Sequence, residues 1–326
     1  MLLDIVMPGL SGYEVCRQLR AQESTRDLPV MRSRTSRTRP QGFEVGGNDY
    51  LTKPFEVVEV KARVRSLLKA KAYTDAIRKA MARDLQIARE IQMGILPADV
   101  AAVTCHSPLE VHAIIEPTQK VGGDLYEVLR PSDDRFVIAM SRGRESRRRS
   151  SWSVAVTVLR TLARHLVDPA EILRRLNAEL AAQNPRGMFV TMQCLVFDLT
   201  ARQISFAGAG HHQLAIVSRG RSPRLACVSS GRPAGLMAFN PIERETLPLE
   251  AGDTFVLFSD GVPEAMNGSD DFYGEDPLMA VLAAEADAAV ADIVERVVVD
   301  VHAFANGAKQ SDDITVVAGR YAPTAG

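Results

Sequence analysis

The sequence has little that could cross-link it or anchor it. Its four cysteines, Cys16, Cys105, Cys194 and Cys227, stand far apart with no Cys-x-x-Cys pair. That excludes a disulfide framework or a zinc ligand set and points to a reducing, cytoplasmic compartment. No apolar run approaches the roughly 18 residues a membrane span needs. The apolar start, Met1-Leu2-Leu3, has no basic flank and meets Asp4 at once, so it does not read as a signal peptide. The formal net charge is −1, and no overall field draws the chain to nucleic acid or to an acidic membrane. What is there has the composition of an ordinary soluble protein, 46% hydrophobic and 24% charged, with enough of its 326 residues for two domains.

The most informative stretch is Phe255-Val-Leu-Phe-Ser-Asp-Gly261. Its apolar half predicts a short buried strand, and Ser259-Asp260-Gly261 then turns the chain, leaving the Asp260 carboxylate at a strand end. Val121-Gly-Gly-Asp124 and Gln310-Ser-Asp-Asp-Ile-Thr315 repeat the arrangement. One aspartate in a turn is usually a turn former. Three such turns, each beside a strand-like run, offer the oxygen cage that hard cations such as Mg²⁺ or Mn²⁺ take.

These turns belong to a longer series. GGDLYEV (122–128), MFVTMQCLVFDL (188–199), AGAGHHQLAIV (207–217), GRPAGL (231–236), LEAGDTFVLFSDGVPEA (249–265), YGEDPL (273–278) and QSDDITVV (310–317) follow one another. From about Leu85 to Arg320 the chain resembles the PPM metal-dependent protein phosphatases, in the bacterial SpoIIE-type branch. The resemblance implies an α+β fold, an α-β-β-α sandwich of two antiparallel sheets. It also implies two Mn²⁺ or Mg²⁺ ions and hydrolysis of phosphoserine on a small protein of the anti-sigma-factor antagonist type. Asp124, Asp260 and Asp312 match the family's catalytic metal ligands, and Asp313 is adjacent to them.

One motif departs from the family. A shared aspartate should follow Phe136-Val-Ile-Ala139 in an Asp-Val-Ser-Gly-Lys-Gly turn, but the chain reads Met140-Ser-Arg-Gly-Arg-Glu-Ser-Arg-Arg-Arg-Ser-Ser-Trp-Ser153. By length Arg142 falls near the expected aspartate, and a guanidinium cannot ligate a cation. The block reads as an anion-binding patch, as a solvated charged loop, or as a local slip of reading frame. Codons exist for residues 140–152 that, read one base upstream, spell Asp-Val-Ser-Gly-Lys-Gly-Val-Pro-Ala-Ala-Leu-Phe-Met. The rival to a phosphatase is therefore a non-catalytic regulatory module that binds the same partner. His211-His212 has no carboxylate or third histidine at ligand spacing and reads as structural.

At the other end, Leu2-Leu-Asp-Ile-Val-Met-Pro-Gly-Leu-Ser-Gly12 and Asp49-Tyr-Leu-Thr-Lys-Pro-Phe55 resemble the second part of an α/β receiver domain of a response regulator. By that resemblance Asp4 is the phosphoacceptor, Lys53 pairs with the phosphoryl group, Lys53-Pro54 is a candidate cis bond, and a sensor histidine kinase is the upstream partner. The acidic pair that holds Mg²⁺ in receivers lies on an earlier strand than any present here. Met31-Arg-Ser-Arg-Thr-Ser-Arg-Thr-Arg-Pro40 stands where an apolar strand is expected, and its arginines predict a poor one. Thr35 is the candidate for the hydroxyl of that strand; the block can also be back-read as Ala-Leu-Thr. Between the two resemblances, Ile77, Met81, Leu85, Ala88, Ile91 and Ile95 form a stripe at helical spacing. It is either a docked helix or a dimerising one. The expected organisation is a receiver fragment at 1–68, a helical linker at 69–97 and a phosphatase domain at 98–322, associating as a homodimer through the linker.

Overall fold

Short apolar runs bounded by glycine, proline and polar turns build most of the elements. The computed structural model describes residues 1–35, 46–97, 99–118, 122–143, 150–182, 184, 189–211, 213–227 and 230–323. It divides into two units, Met1–Asp84 and Leu85–Gly326.

In the first unit β1 (Leu2–Asp4), β2 (Met31–Thr35) and β3 (Asp49–Lys53) form a parallel sheet in that order. Helix α1 (Gly12–Ala21) starts in a capping box, with the Ser11 hydroxyl and the Glu14 carboxylate each satisfying the other's backbone amide. Leu3, Cys16 and Val30 are its core. The arginine-rich segment corrects the sequence reading, because Met31–Thr35 is the central strand. Parallel ladders on both sides supply its backbone bonds, and Arg32 is buried with its guanidinium 5.5 Å from the Tyr13 ring. The rest of that block, residues 36–40, lies outside the described residues. The Lys53-Pro54 bond is cis. Helix α2 (Val57–Ile95) follows, and the division between the units falls within it.

The second unit opens with α3 (Val100–Thr104) and the strands β4 (Leu109–Glu116), β5 (Asp124–Ser132) and β6 (Arg135–Gly143). Helices α4 (Ser150–Ala163) and α5 (Pro169–Ala182) come next, then β7 (Val190–Asp198), β8 (Gln203–Ala209), β9 (Gln213–Val217), β10 (Arg224–Cys227), β11 (Ser230–Gly231), β12 (Glu245–Pro248) and β13 (Thr254–Phe258). Helices α6 (Glu275–Ala284) and α7 (Val290–Ala305) precede β14 (Ile314–Tyr321). One sheet has the order β10-β9-β13-β14-β4; the other runs β11-β8-β7-β6-β5, with β12 also on β8. Apart from the short parallel pairing of β11 with β8, both are antiparallel.

The two-residue alternation of side chains explains the layering. Phe136, Ile138, Leu195, Phe197, Phe255, Leu257 and Val317 meet between the sheets. Their neighbours Val256, Phe258, Val316 and Ala318 face the other way, onto Leu278, Leu282, Val294 and Val297 of α6 and α7. Val137, Ala139, Cys194 and Val196 likewise face Leu159, Leu173 and Leu176 of α4 and α5. The result is the expected α-β-β-α sandwich. Among the described residues no helix is long and apolar enough to cross a membrane.

Candidate functional site

One end of the sandwich gathers the aspartates singled out in the sequence. Asp260 follows β13, Asp312 and Asp313 precede β14, and Asp124 opens β5 opposite Arg142 of β6. The turns hold each other. The Ser259 hydroxyl donates to the Asp313 carbonyl (2.9 Å) and accepts from the Thr315 amide (3.0 Å). A Cβ on Gly261 would run into that same carbonyl, so only glycine fits the turn.

The four carboxylates have different surroundings. Asp313 is buried and accepts backbone amides from Thr118 (2.7 Å), Gly123 and Asp124 (3.2 Å). It ties the Gly-Gly-Asp turn to β14 rather than facing the cluster. Asp124 is also buried, accepting from the Thr315 hydroxyl at 2.8 Å. Burial pushes its carboxyl up to about 7, against the pull of bonds to Ser259 and Thr315 and of the Arg142 charge. Asp312 is half-buried, its Oδ1 accepting the Asp313 amide at 2.8 Å, and Asp260 is exposed.

Arg142 closes the cluster. Its Nη1 donates to Asp260 Oδ2 at 2.6 Å and its Nη2 to Asp312 Oδ2. Burial works to lower the pKa of the guanidinium, but the charges of Asp312, Asp260 and Asp124 prevail and raise it. The residues present therefore do not fit a pair of divalent ions: a permanent cation already holds the oxygen atoms that would ligate them. Among the described residues no three side chains converge as a metal-ligand group. Met140, where the frame-shifted reading has aspartate, lies fully buried between the sheets. Residues 144–149 of the arginine block lie outside the described residues.

Some partners were not read from the sequence. Glu127, inside an apolar strand and 3% exposed, takes two bonds from Arg160 of α4, at 2.7 and 3.0 Å. A carboxylate in an otherwise apolar run is a signal for such a partner. His211 is buried with its Nε2 3.3 Å from the Phe258 carbonyl, in keeping with a structural histidine, while His212 lies outside the described residues. In the first unit Lys53 Nζ bonds Asp4 Oδ2, as expected. The Lys53 bond, outweighing desolvation, lowers the Asp4 pKa, helped by Ser33. Ser33 thus brings a hydroxyl beside Asp4, with which it pairs in the β1–β2 register. The Thr35 side chain lies outside the described residues.

A two-sheet sandwich with an aspartate cluster at the strand ends defines a phosphatase domain of the PPM class. Residues 143–322 match the family described as Stage II sporulation protein E (SpoIIE), and the chain belongs to that family. Residues 1–65 match the response regulator receiver domain. Protein IcfG of Synechocystis is 22% identical over 293 residues, 80% of this chain and 44% of that protein. The transcriptional regulator RpaA, also of Synechocystis, is 38% identical over 106 residues, 32% of this chain and 42% of its own length. The chain thus spans less than half the length of either relative. Among solved structures, the SiaA-PP2C domain of Pseudomonas aeruginosa superposes with a TM-score of 0.66 at 22% identity, over 76% of this chain and 99% of that one. The SpoIIE phosphatase domain with a regulatory fragment, from Bacillus subtilis, gives 0.56 at 20% identity, over 65% and 63%. The RsbU and RsbW domains of Rv1364c from Mycobacterium tuberculosis give 0.56 at 22%, over 67% and 61%.

Proposed function

We propose that this chain is a two-component-linked, SpoIIE-type protein serine/threonine phosphatase module that acts in the cytoplasm. Its partner is a small regulatory protein phosphorylated on serine, of the anti-sigma-factor antagonist type. The receiver fragment (1–68), under a sensor histidine kinase, and the linker (69–97) precede the phosphatase domain (98–322). Asp4 is its phosphoacceptor site and Lys53 the phosphoryl-pairing cation. Asp124, Asp260 and Asp312 are the carboxylates of the catalytic cluster, with Asp313 behind them as the anchor of the Gly-Gly-Asp turn. In the chain as it stands the module engages its partner with at most trace turnover. The observation that carries this is the single Arg142 guanidinium joined to both Asp260 and Asp312. A metal pair, Mn²⁺ or Mg²⁺, would supply charge stabilisation and an activated water at such a site.

The test is phosphate release, with Mn²⁺, from an aryl phosphate and from a phosphoserine protein. Replacing residues 140–152 by Asp-Val-Ser-Gly-Lys-Gly-Val-Pro-Ala-Ala-Leu-Phe-Met, with flanking residues adjusted so that the aspartate takes the place of Arg142 and an apolar residue stays at the buried Met140 position, raises turnover by roughly 100-fold or more, the scale set by one charge-stabilising group. In the repaired chain Asp260→Asn abolishes it again. Equal turnover before and after repair sinks the reading.

A further inference from the structure

The three segments that meet at the cluster come from remote parts of the chain: the end of β6, the turn after β13 and the loop before β14. Three carboxylates brought to one end of a sandwich repel one another unless a cation lies among them. Arg142 is that cation. Its two Nη atoms go to carboxylates of two different segments. Its strand faces Asp124 in the β5–β6 register. Its side chain is largely withdrawn from solvent, at 23% exposure. A planar fork divided between two carboxylates is a directional link between segments, which a hydrated lysine ammonium supplies less well.

We propose that Arg142 is the resident cation of this cluster. It cross-links the Asp260 turn and the Asp312 loop to β6, and the folded unit takes up no divalent ion while it is in place. An incoming divalent ion would have to share the oxygens of Asp260 and Asp312 with a fixed like charge, or displace it. Removing the guanidinium reverses both properties at once. The cluster loses its link, and carboxylates that do not converge as a metal-ligand group with the guanidinium in place are left without a counter-charge and free to close on a hard cation. The inference goes beyond the proposed function, because it needs neither substrate nor partner; its failure is read in metal binding and melting, not in phosphate release.

The experiment titrates Mn²⁺ into the full chain and follows the free-ion electron paramagnetic resonance signal, with thermal melting in parallel. For the unaltered chain the signal grows as in buffer up to about 1 mM ion, the scale of a weak site. Its Tm is the same in EDTA and in Mn²⁺. Arg142→Ala melts roughly 2–4 °C lower in EDTA, the shift expected of a domain this size for a lost partly buried link. That variant then depletes free Mn²⁺ saturably and recovers Tm as the ion is added. Arg142→Lys keeps a cation and stays insensitive to Mn²⁺. Saturable Mn²⁺ uptake by the unaltered chain overturns the proposal, even if Arg142→Ala fails to fold. So does an Arg142→Ala protein that melts like the parent and ignores the ion.

Discussion

The Ser259 hydroxyl bonds the Asp313 carbonyl, and the same oxygen accepts the Thr315 amide, so one buried side chain holds the Asp260 turn against the neighbouring strand. Ser259→Ala removes both bonds and leaves a buried carbonyl and amide unsatisfied. The expected cost is about 2–3 kcal/mol. Urea unfolding measures it, and a loss under about 0.5 kcal/mol would show that the turn is held by other means.

Glu127 supplies a pH-dependent prediction. Burial raises its pKa above the usual 4.5, with the Arg160 bond and charge working in the opposite direction. A raised folded-state pKa means the ionised form is the one folding disfavours. The penalty is therefore present above that pKa and relieved as pH falls through it. Arg160→Ala removes the compensating charge and destabilises the fold at neutral pH by about 2–3 kcal/mol, less than a fully buried pair because Arg160 reaches solvent. The gap to the parent narrows as pH is lowered through the raised Glu127 pKa toward 4.5. A gap that widens on acidification contradicts this assignment.

Helix α2 exposes Tyr73, Ile77 and Met81, each more than half accessible. Large apolar side chains at four-residue steps share one face of a helix and make a seam for a second helix. Sedimentation at micromolar concentration is expected to give a dimer, and Ile77→Lys with Met81→Lys a monomer. A monomeric parent chain rules out the linker as the dimer contact.

Much of the site was legible because its carboxylates sit at strand ends announced by apolar runs. Residues 255–258 read as a short buried strand and stand inside the observed Thr254–Phe258, with Asp260 just past its end. What the sequence did not show is contact across distance. Nothing local marks Ser259 as the partner of Asp313, or Ser33 as a hydroxyl beside Asp4. Strands of four residues such as Arg224–Cys227 and Glu245–Pro248 are too short to show a two-residue alternation. The arginine strand Met31–Thr35 was misread because its place between two parallel neighbours outweighs its composition.

The strand order has a consequence for biosynthesis. β14 lies between β13 and β4, so the last strand to be synthesised fills the middle of its sheet. Until Tyr321 has cleared the ribosome, β4 and β13 each present an open backbone edge separated by a one-strand gap. Pairing across about 200 residues of sequence also makes closure slow, since the ordering of a long loop precedes its reward. The nascent chain thus carries a vacant slot for an extended segment, one that a neighbouring nascent chain can fill before its own β14 arrives.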